Sequence, residues 1–285
     1  MRLRAPYDFQ RSLRVVNRFS KEPGAADSRL QIGLRMDGKP VVLTVFPENK
    51  RPKSLALSAS APVPPAAMES VARWVLFDEL NLAPFYRLAE PHPAFWAIVR
   101  GLWGVKPMRP ASLLEMAVIV ITEQQISLAA ANHIRARLVE RFGDQVEGVW
   151  VFPAAEALAR ASLDEIRSCG YSQRKAEYIR DFAALVAGGS LDLEELKTLP
   201  EVEVYDRLLG LRGWGPWSAN YFLVRGLARP DRVPSDDLAV RTVVGKYLGR
   251  GARVSAAGVE ELLGPFRPYR GLASFYLLAH AWQQK

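Results

Sequence analysis

The chain has 285 residues, 49% of them apolar, which suffices for one large domain or two ordinary ones. Its single cysteine excludes an internal disulfide, a four-cysteine zinc site and a cysteine-ligated iron–sulfur cluster, and its three histidines lack the spacing of metal ligands. Lysine and arginine outnumber aspartate and glutamate by 38 to 30, so the net charge of +8 makes a polyanionic partner plausible. Without a long apolar run or a leader pattern, we expect a soluble, cytoplasmic protein.

The N-terminal part predicts a small antiparallel sheet. Apolar and polar residues alternate over 30–36 and again over 41–45, and Asp37-Gly38 supplies turn chemistry between them. Residues 54–60 alternate once more and suggest a third strand. Prolines then interrupt the pattern, and residues 66–80 have apolar residues at helical spacing. We therefore expect residues 1–90 to form a sheet domain covered by a helix.

From about Pro93 onward the apolar spacing is helical, and we expect residues 91–285 to form an all-α domain. The segment 106–110 (KPMRP) leads into its central part, and the boundary could lie ten or more residues earlier. The predicted fold class is α+β. The predicted helices cover 113–122, 127–142, 153–161, 163–169, 173–187, 193–198, 202–208, 217–227, 238–247, 256–263 and 269–282.

The positive charge is concentrated in one stretch. Between Leu209 and Ser255 there are eight basic and three acidic residues, so this stretch carries +5 of the total +8. A charged run is usually only a solvated face, but this one favours nucleic acid as the partner.

A glycine-containing turn lies inside this basic stretch. In the segment 208–227, Gly213 and Gly215 separate a helix that ends near Gly210 from one that begins near Pro216. Glycine permits turns whose consecutive N–H groups point outward, and proline suits a first helical position. Such a hairpin can bind a phosphate, although a lone glycine pair is also typical of an ordinary helix–helix turn.

The next helix is followed by acidic residues at the start of another. Val233-Pro234-Ser235-Asp236-Asp237 precedes the helix at 238–247, and capping explains one of the two aspartates. Capping does not explain why the acids follow a glycine hairpin in a basic region with Trp214, Trp217 and Tyr221 nearby.

With these motifs the sequence resembles the helix-hairpin-helix, Gly/Pro-Asp superfamily of DNA glycosylases, and within it the 3-methyladenine DNA glycosylase II branch. The resemblance covers nearly the whole chain. Its motifs are Pro6-Tyr7-Asp8-Phe9, the segment 121–127 (ITEQQIS), the hairpin with the segment 217–222 (WSANYF), the Pro-x-Asp-Asp loop and the closing segment 278–282 (LAHAW).

The resemblance implies an aspartate that stabilises the positive charge developing on the sugar as the damaged base leaves. The candidate is Asp237, because Val240 three positions later fits the family's helix pattern; Asp236 is the alternative. If Asp237 is catalytic, Asp236 could cap the helix.

A glycosylase must flip its nucleotide out of the duplex, and a side chain then fills the gap. The resemblance assigns this wedge to Gln125, which could otherwise be a surface residue. It assigns the pocket for the everted base to Trp217, Tyr221 and Trp282, with Val15 or Phe9 as further contributors. Aromatic faces favour cationic rings, and so alkylated purines. At position 123 the family more commonly has glycine, whereas this chain has Glu123. The local backbone geometry, and any contact made there, is therefore left open.

The resemblance also defines the expected reaction. Superfamily members that cleave the DNA backbone have a nucleophilic lysine directly after the position of Pro216, where this chain has Trp217. A monofunctional glycosylase is therefore expected, without cofactor, acting as a monomer on damaged duplex DNA and associated with the nucleoid if bacterial. A monovalent cation on the hairpin carbonyls would assist phosphate binding only. The expected phosphate-binding residues are Leu211, Gly213, Gly215, Trp217 and Ser218.

Three other functions stay open at this point. The chain could be a DNA-binding module without activity, a glycosylase for uracil, hypoxanthine or an oxidised purine, or a small-molecule enzyme with an incidental basic face.

Overall fold

The structure is a computed structural model that describes residues 1–20, 29–48 and 54–284. An N-terminal sheet is followed by a larger, mainly helical part. The strands are β1 (Leu30–Met36), β2 (Lys39–Pro47), β3 (Leu55–Ala59), β4 (Asp144–Val146) and β5 (Val149–Val151). The first helices are α1 (Phe9–Ser20), α2 (Pro65–Leu76), α3 (Leu82–Ala89), α4 (Pro93–Gly101), α5 (Leu113–Glu123), α6 (Leu128–Phe142) and α7 (Ala155–Arg160). They are followed by α8 (Leu163–Ser168), α9 (Gln173–Ala187), α10 (Glu201–Leu209), α11 (Pro216–Arg225), α12 (Leu238–Tyr247), α13 (Ala256–Leu263) and α14 (Arg270–Gln283), with short 3₁₀ helices at Glu195–Lys197 and Gly264–Phe266.

The predicted N-terminal sheet is confirmed. Strands β1, β2 and β3 pair antiparallel in that order, with Leu30 opposite Val45 and Met36 opposite Lys39. Asp37 and Gly38 both have left-handed φ angles, of 49° and 76°, which a two-residue hairpin turn of this hand requires. The buried face of the sheet packs against α1 and α2.

The helical part differs from the expected all-α domain because it contains the β4–β5 hairpin. Glu147 and Gly148 form its turn, with φ angles of 50° and 79°. The hairpin approaches β1 so closely that a Cβ atom on Gly33 would lie 2.2 Å from the carbonyl oxygen of Trp150. Arg35 of β1 also forms an ion pair with Asp144. Helices α1 and α3 were likewise not predicted.

Three hydrophobic clusters form the interior. One lies between the sheet, α1 and α2; a second joins residues 77–105 to residues 233–279; a third joins most of the segment 113–227. Phe85 and Phe95 belong to the second cluster together with Tyr276 of α14. This cluster therefore draws on both sides of residue 90, and the domain boundary there stays a prediction.

The described residues contain neither a membrane-spanning helix nor a cluster of metal ligands. No described helix has the length and apolar character needed to cross a bilayer. Across residues 1–20, 29–48 and 54–284, His, Cys, Asp and Glu do not form a group of three or more that could hold a metal ion.

A buried lysine ties the N-terminal segment to the helical part. Lys106 is 1% exposed, its Nζ donates a hydrogen bond to the carbonyl oxygen of Asp78 at 3.1 Å, and it lies over the ring of Tyr7. Burial lowers the pKa of Lys106 to about 8, although Asp78 and Glu79 act to raise it.

The buried lysine predicts a pH dependence of stability. Between pH 8 and about 10.4, the unfolded chain holds a proton on Lys106 that the folded chain has released, so the free energy of unfolding rises with pH. The full effect is about 3 kcal/mol. Urea unfolding from pH 7 to 9.5 measures it. We expect a rise in the parent and a flatter profile in Lys106→Met; equal slopes in both proteins would contradict the assignment.

Candidate active site

Asp237 lies at the start of α12, where it is partly buried. Its Oδ1 accepts hydrogen bonds from the N–H groups of Ala239 at 2.8 Å and Val240 at 3.0 Å, which caps the helix. Its Oδ2 accepts a hydrogen bond from the indole Nε1 of Trp217 at 3.0 Å. The helix N-terminus therefore fixes one oxygen of this carboxylate, and the other faces an aromatic side chain of α11.

The neighbouring acid does not take the role expected of it. Asp236 was expected to cap α12 if Asp237 were catalytic, but Asp237 is itself the cap and Asp236 is exposed. One aspartate both caps α12 and accepts a hydrogen bond from Trp217 because its two oxygens have different partners. The choice of Asp237 rather than Asp236 as the reactive acid stays a prediction; of the two, Asp237 is the one that is hydrogen-bonded to Trp217.

Two aromatic residues of α11 form one wall of the site. Trp217 and Tyr221 are one helical turn apart, and their ring centroids are 5.2 Å apart at an interplanar angle of 36°. Both are partly exposed. The Tyr221 hydroxyl donates a hydrogen bond to Oε2 of Glu123 at 2.9 Å. Burial, together with the negative charge of Glu123, raises the pKa of Tyr221 above its ordinary value.

Glu123, whose effect the sequence left open, belongs to this site. It is the last residue of α5, its side chain is 13% exposed, and its Oε1 lies 3.9 Å from Nη1 of Arg135. Burial raises the pKa of Glu123 above its ordinary value, against the opposing effects of Arg225 and of the Tyr221 hydroxyl. The sequence signals for this position are its place in the same short motif as Gln125 and its departure from the family's commoner glycine.

The predicted wedge residue occupies an exposed turn. Gln125 lies between α5 and α6 with a φ of 58°, a left-handed conformation that costs a non-glycine residue about 1 kcal/mol. Such strain persists only where the surroundings impose it. Its role as a wedge stays a prediction.

Two residues that were not predicted hold this turn in place. The side-chain amide of Gln124 donates hydrogen bonds to the Gly213 carbonyl oxygen at 2.9 Å and to Oγ of Ser218 at 3.0 Å. The Lys175 ammonium donates to the carbonyl oxygens of Thr122 and Gln124, both at 2.7 Å. The turn that contains Gln125, called the wedge turn after its predicted role, is thus joined to the glycine hairpin by the hydrogen bonds of Gln124.

The glycine hairpin has the expected backbone. Gly213 has a φ of 84°, and a Cβ atom there would lie 2.3 Å from the Tyr178 ring. Gly215 is the N-cap of α11 and offers no side-chain cap, so the N–H groups of Trp217 and Ser218 in the first turn are donors that a phosphate can satisfy. Phosphate binding by these residues and by Leu211 stays a prediction.

The expected monovalent cation would be held by the carbonyl oxygens of the hairpin. The oxygens of Leu211 and Gly213 each accept one hydrogen bond, from the Trp214 N–H and from Gln124, and a carbonyl oxygen has a second lone pair. Carbonyl oxygens suit a hard monovalent ion, and the turn fits that group.

Other predicted residues lie elsewhere. Trp214 lies in the hydrophobic core, stacked on Phe182 at a centroid distance of 5.6 Å. Phe9 and Val15 are buried in hydrophobic clusters. Trp282 is partly buried in the last turn of α14, and its contribution to the pocket stays a prediction.

Much of the basic stretch is engaged within the protein. Arg212 pairs with Glu177 and Arg232 with Glu201, and Arg229 donates to the Leu199 carbonyl oxygen. Arg250 and Arg253, in contrast, are exposed. The formal charge of +5 therefore overstates what this stretch can offer a phosphate backbone.

Comparison with known proteins places this site in a family. The family model described as HhH-GPD superfamily base excision DNA repair protein matches residues 118–268, more than half of the chain. The chain belongs to the HhH-GPD superfamily. The match includes the wedge turn, the hairpin and Asp237.

Individual proteins named as DNA-3-methyladenine glycosylases are similar to this chain over most of its length. The DNA-3-methyladenine glycosylase of Bacillus subtilis is 30% identical over 228 residues, which cover 78% of this chain and 75% of the relative. DNA-3-methyladenine glycosylase 2 of Escherichia coli is 26% identical, with 97% of this chain and 94% of the relative covered. The solved 3-methyladenine DNA glycosylase of Archaeoglobus fulgidus superposes with a TM-score of 0.86 at 26% identity, covering 99% of this chain and 98% of the other.

Proposed function

We propose that this HhH-GPD protein is a monofunctional DNA glycosylase that releases alkylated bases, of the 3-methyladenine and 7-methylguanine type, from duplex DNA. The observation that carries the proposal is the carboxylate of Asp237, which is held 3.0 Å from the indole nitrogen of Trp217 beside the Trp217–Tyr221 pair. The names of the relatives in Bacillus subtilis and Escherichia coli support the alkylated-base class.

The chemistry follows from this placement. An everted nucleotide whose base lies against the aromatic pair would present its sugar to Asp237. As the glycosidic bond breaks, its electron pair leaves with the base, and positive charge develops on the sugar carbon. A fixed anion stabilises that charge without having to reorganise. A water molecule then bonds to the same carbon and releases one proton, to Asp237 or to bulk water, which leaves an abasic site.

The residue after Pro216 supports release of the base without strand cleavage. Schiff-base chemistry needs an amine, and the indole of Trp217 has none. Lys175 of α9, whose amine lies next to the wedge turn, donates to the backbone carbonyl oxygens of Thr122 and Gln124. Lyase activity is therefore not expected.

Contact with DNA would come from the hairpin and the wedge turn. The N–H groups at the start of α11 would bind a phosphate without reading sequence, and Gln125 would enter the duplex. A monovalent cation on the carbonyls of Leu211 and Gly213 would assist the hairpin in binding that phosphate. A Schizosaccharomyces pombe 3-methyladenine DNA glycosylase, solved in complex with abasic DNA, superposes with a TM-score of 0.61 at 25% identity. We propose that the protein acts on DNA as a monomer.

The wedge role predicts opposite effects of one substitution. Gln125→Gly relieves the left-handed strain, so the free energy of unfolding should rise by about 0.5 kcal/mol. The same change removes the side chain that fills the gap, so single-turnover base release should slow about 10- to 100-fold. Urea unfolding and base release measure the two effects.

A second strained turn supplies the control. Glu147→Gly relieves a φ of 50° in the exposed β4–β5 turn and should leave base release unchanged. If Gln125→Gly released the base at the parent rate, the proposal that Gln125 fills the gap in the duplex would be wrong.

A defined-lesion assay tests the proposed function. Duplexes with a single 7-methylguanine, hypoxanthine, uracil or 8-oxoguanine are incubated with the protein and then either left untreated or treated with alkali. We expect alkali-dependent cleavage at 7-methylguanine and none without alkali. Cleavage without alkali would contradict the monofunctional reaction, and intact duplexes throughout would contradict the glycosylase activity.

A further inference from the structure

Glu123 is a buried carboxyl group that the proposed reaction does not use. It ends α5 and projects between α6 and α11, where its Oε2 accepts the Tyr221 hydroxyl at 2.9 Å and its Oε1 lies 3.9 Å from Arg135. A carboxylate at the C-terminal end of a helix is disfavoured by the helix dipole. The position therefore bears a cost that a neutral side chain would avoid.

The formal charges of this carboxyl and the ionisable groups around it sum to zero. Glu123 and Asp237 interact electrostatically and supply two negative charges, and Arg135 and Arg225 supply two positive charges. The Arg225 guanidinium carbon lies 5.8 Å from the centroid of the Tyr221 ring, and its buried Nε has no hydrogen-bond partner among the described residues. Without the charge of Glu123, two guanidinium groups would face one carboxylate beside the pocket.

That balance matters for the charge of the base. A purine alkylated at a ring nitrogen carries a positive charge while it is still attached to the sugar, whereas hypoxanthine is neutral. An excess positive charge at the pocket would repel the first and leave the second nearly unaffected. In addition, a tyrosine that donates to a carboxylate has a more electron-rich ring, which attracts a cation more strongly.

We propose that Glu123 is a specificity-determining residue of the base pocket, whose negative charge makes the pocket select cationic alkylated bases over neutral lesions. The inference rests on the proposed glycosylase function. It assigns a role to the position at which this chain departs from the family's commoner glycine.

The first test compares two lesions. Glu123→Gln keeps the volume and an acceptor for the Tyr221 hydroxyl and removes the charge. Single-turnover release of 7-methylguanine should fall about tenfold relative to release of hypoxanthine from a matched duplex. Glu156→Gln, an exposed substitution in the first turn of α7, should leave the ratio unchanged. An equal fall for both lesions would overturn the specificity role of Glu123 but not the proposed function. A parent protein that releases neither base would overturn both.

The second test uses pH and needs only the cationic lesion. The parent-to-variant ratio for 7-methylguanine release should be about ten at pH 7.5 and fall towards one as the pH is lowered, because burial raises the pKa of Glu123 and protonation removes the charge of the parent carboxyl. The other groups that face Glu123, namely Tyr221, Arg225, Arg135 and Asp237, are present in both proteins, so the ratio divides out the effects that they have on the rate independently of Glu123. A ratio that stays constant with pH would show that the side chain acts only as a structural support and would overturn the proposal.

Discussion

Asp237→Asn should slow base release about 100- to 1,000-fold while leaving the fold intact. An asparagine side chain can still cap α12 through its oxygen, so the N–H groups of Ala239 and Val240 keep their acceptor. The negative charge that faces the sugar is lost, and removal of one fixed electrostatic group from an active site typically costs this much in rate. Single-turnover release of 7-methylguanine measures the effect, and affinity for the lesion duplex should change little.

The adjacent acid provides a matched control. Asp236→Asn makes the same chemical change one residue away, at an exposed position. It should retain the parent rate within about twofold, because an exposed charge is screened by solvent. The reverse result, in which Asp236→Asn is inactive and Asp237→Asn is active, would exchange the two assignments.

Gly213→Ala should damage both stability and DNA binding. The residue has a left-handed φ of 84°, and an added Cβ atom would overlap the Tyr178 ring at 2.3 Å. Strain and overpacking together should lower the free energy of unfolding by about 2–4 kcal/mol. Displacement of the turn would also move the N–H groups of Trp217 and Ser218 in the first turn of α11. Affinity for duplex DNA should therefore fall about tenfold, the loss of one charge-assisted hydrogen bond.

A second left-handed glycine separates strain from steric overlap. Gly148 has a φ of 79° in the β4–β5 turn, and a Cβ atom there would meet nothing within 4 Å. Gly148→Ala should cost only about 1 kcal/mol and leave DNA affinity unchanged. Urea unfolding and fluorescence anisotropy on labelled DNA measure the two quantities. Equal destabilisation by both alanines would show that the contact with Tyr178 contributes nothing.

Local signals predicted much of the fold. Hydrophobic periodicity gave the bounds of α9, α12 and α13 as observed, and the alternation around Asp37-Gly38 predicted the β1–β2 hairpin. In these elements the buried residues recur at the regular spacing of a helix or a strand, so a short stretch of sequence contains most of the information that predicts them. The same holds for the glycine hairpin, whose turn depends on the residues within it.

Elements decided by tertiary contacts were missed. The β4–β5 hairpin is short and lies against β1, which is more than a hundred residues away in sequence. Likewise, the hydrogen-bond partners of Glu123, Gln124 and Lys175 lie about 50 to 100 residues away from them in the sequence. The sequence named the wedge turn, the hairpin and the acid as motifs, but it could not show that hydrogen bonds join them into one site.

The central claim is that the Asp237 carboxylate faces the sugar of an everted nucleotide whose base lies against Trp217 and Tyr221. A crystal structure of Asp237→Asn bound to a duplex with one intact 7-methylguanine tests it directly. The account predicts the modified base against those two rings, residue 237 beside the sugar carbon of the glycosidic bond, and Gln125 in the vacated position of the duplex. A modified base that remains stacked in the helix, or lies in a cleft away from α11, would contradict it.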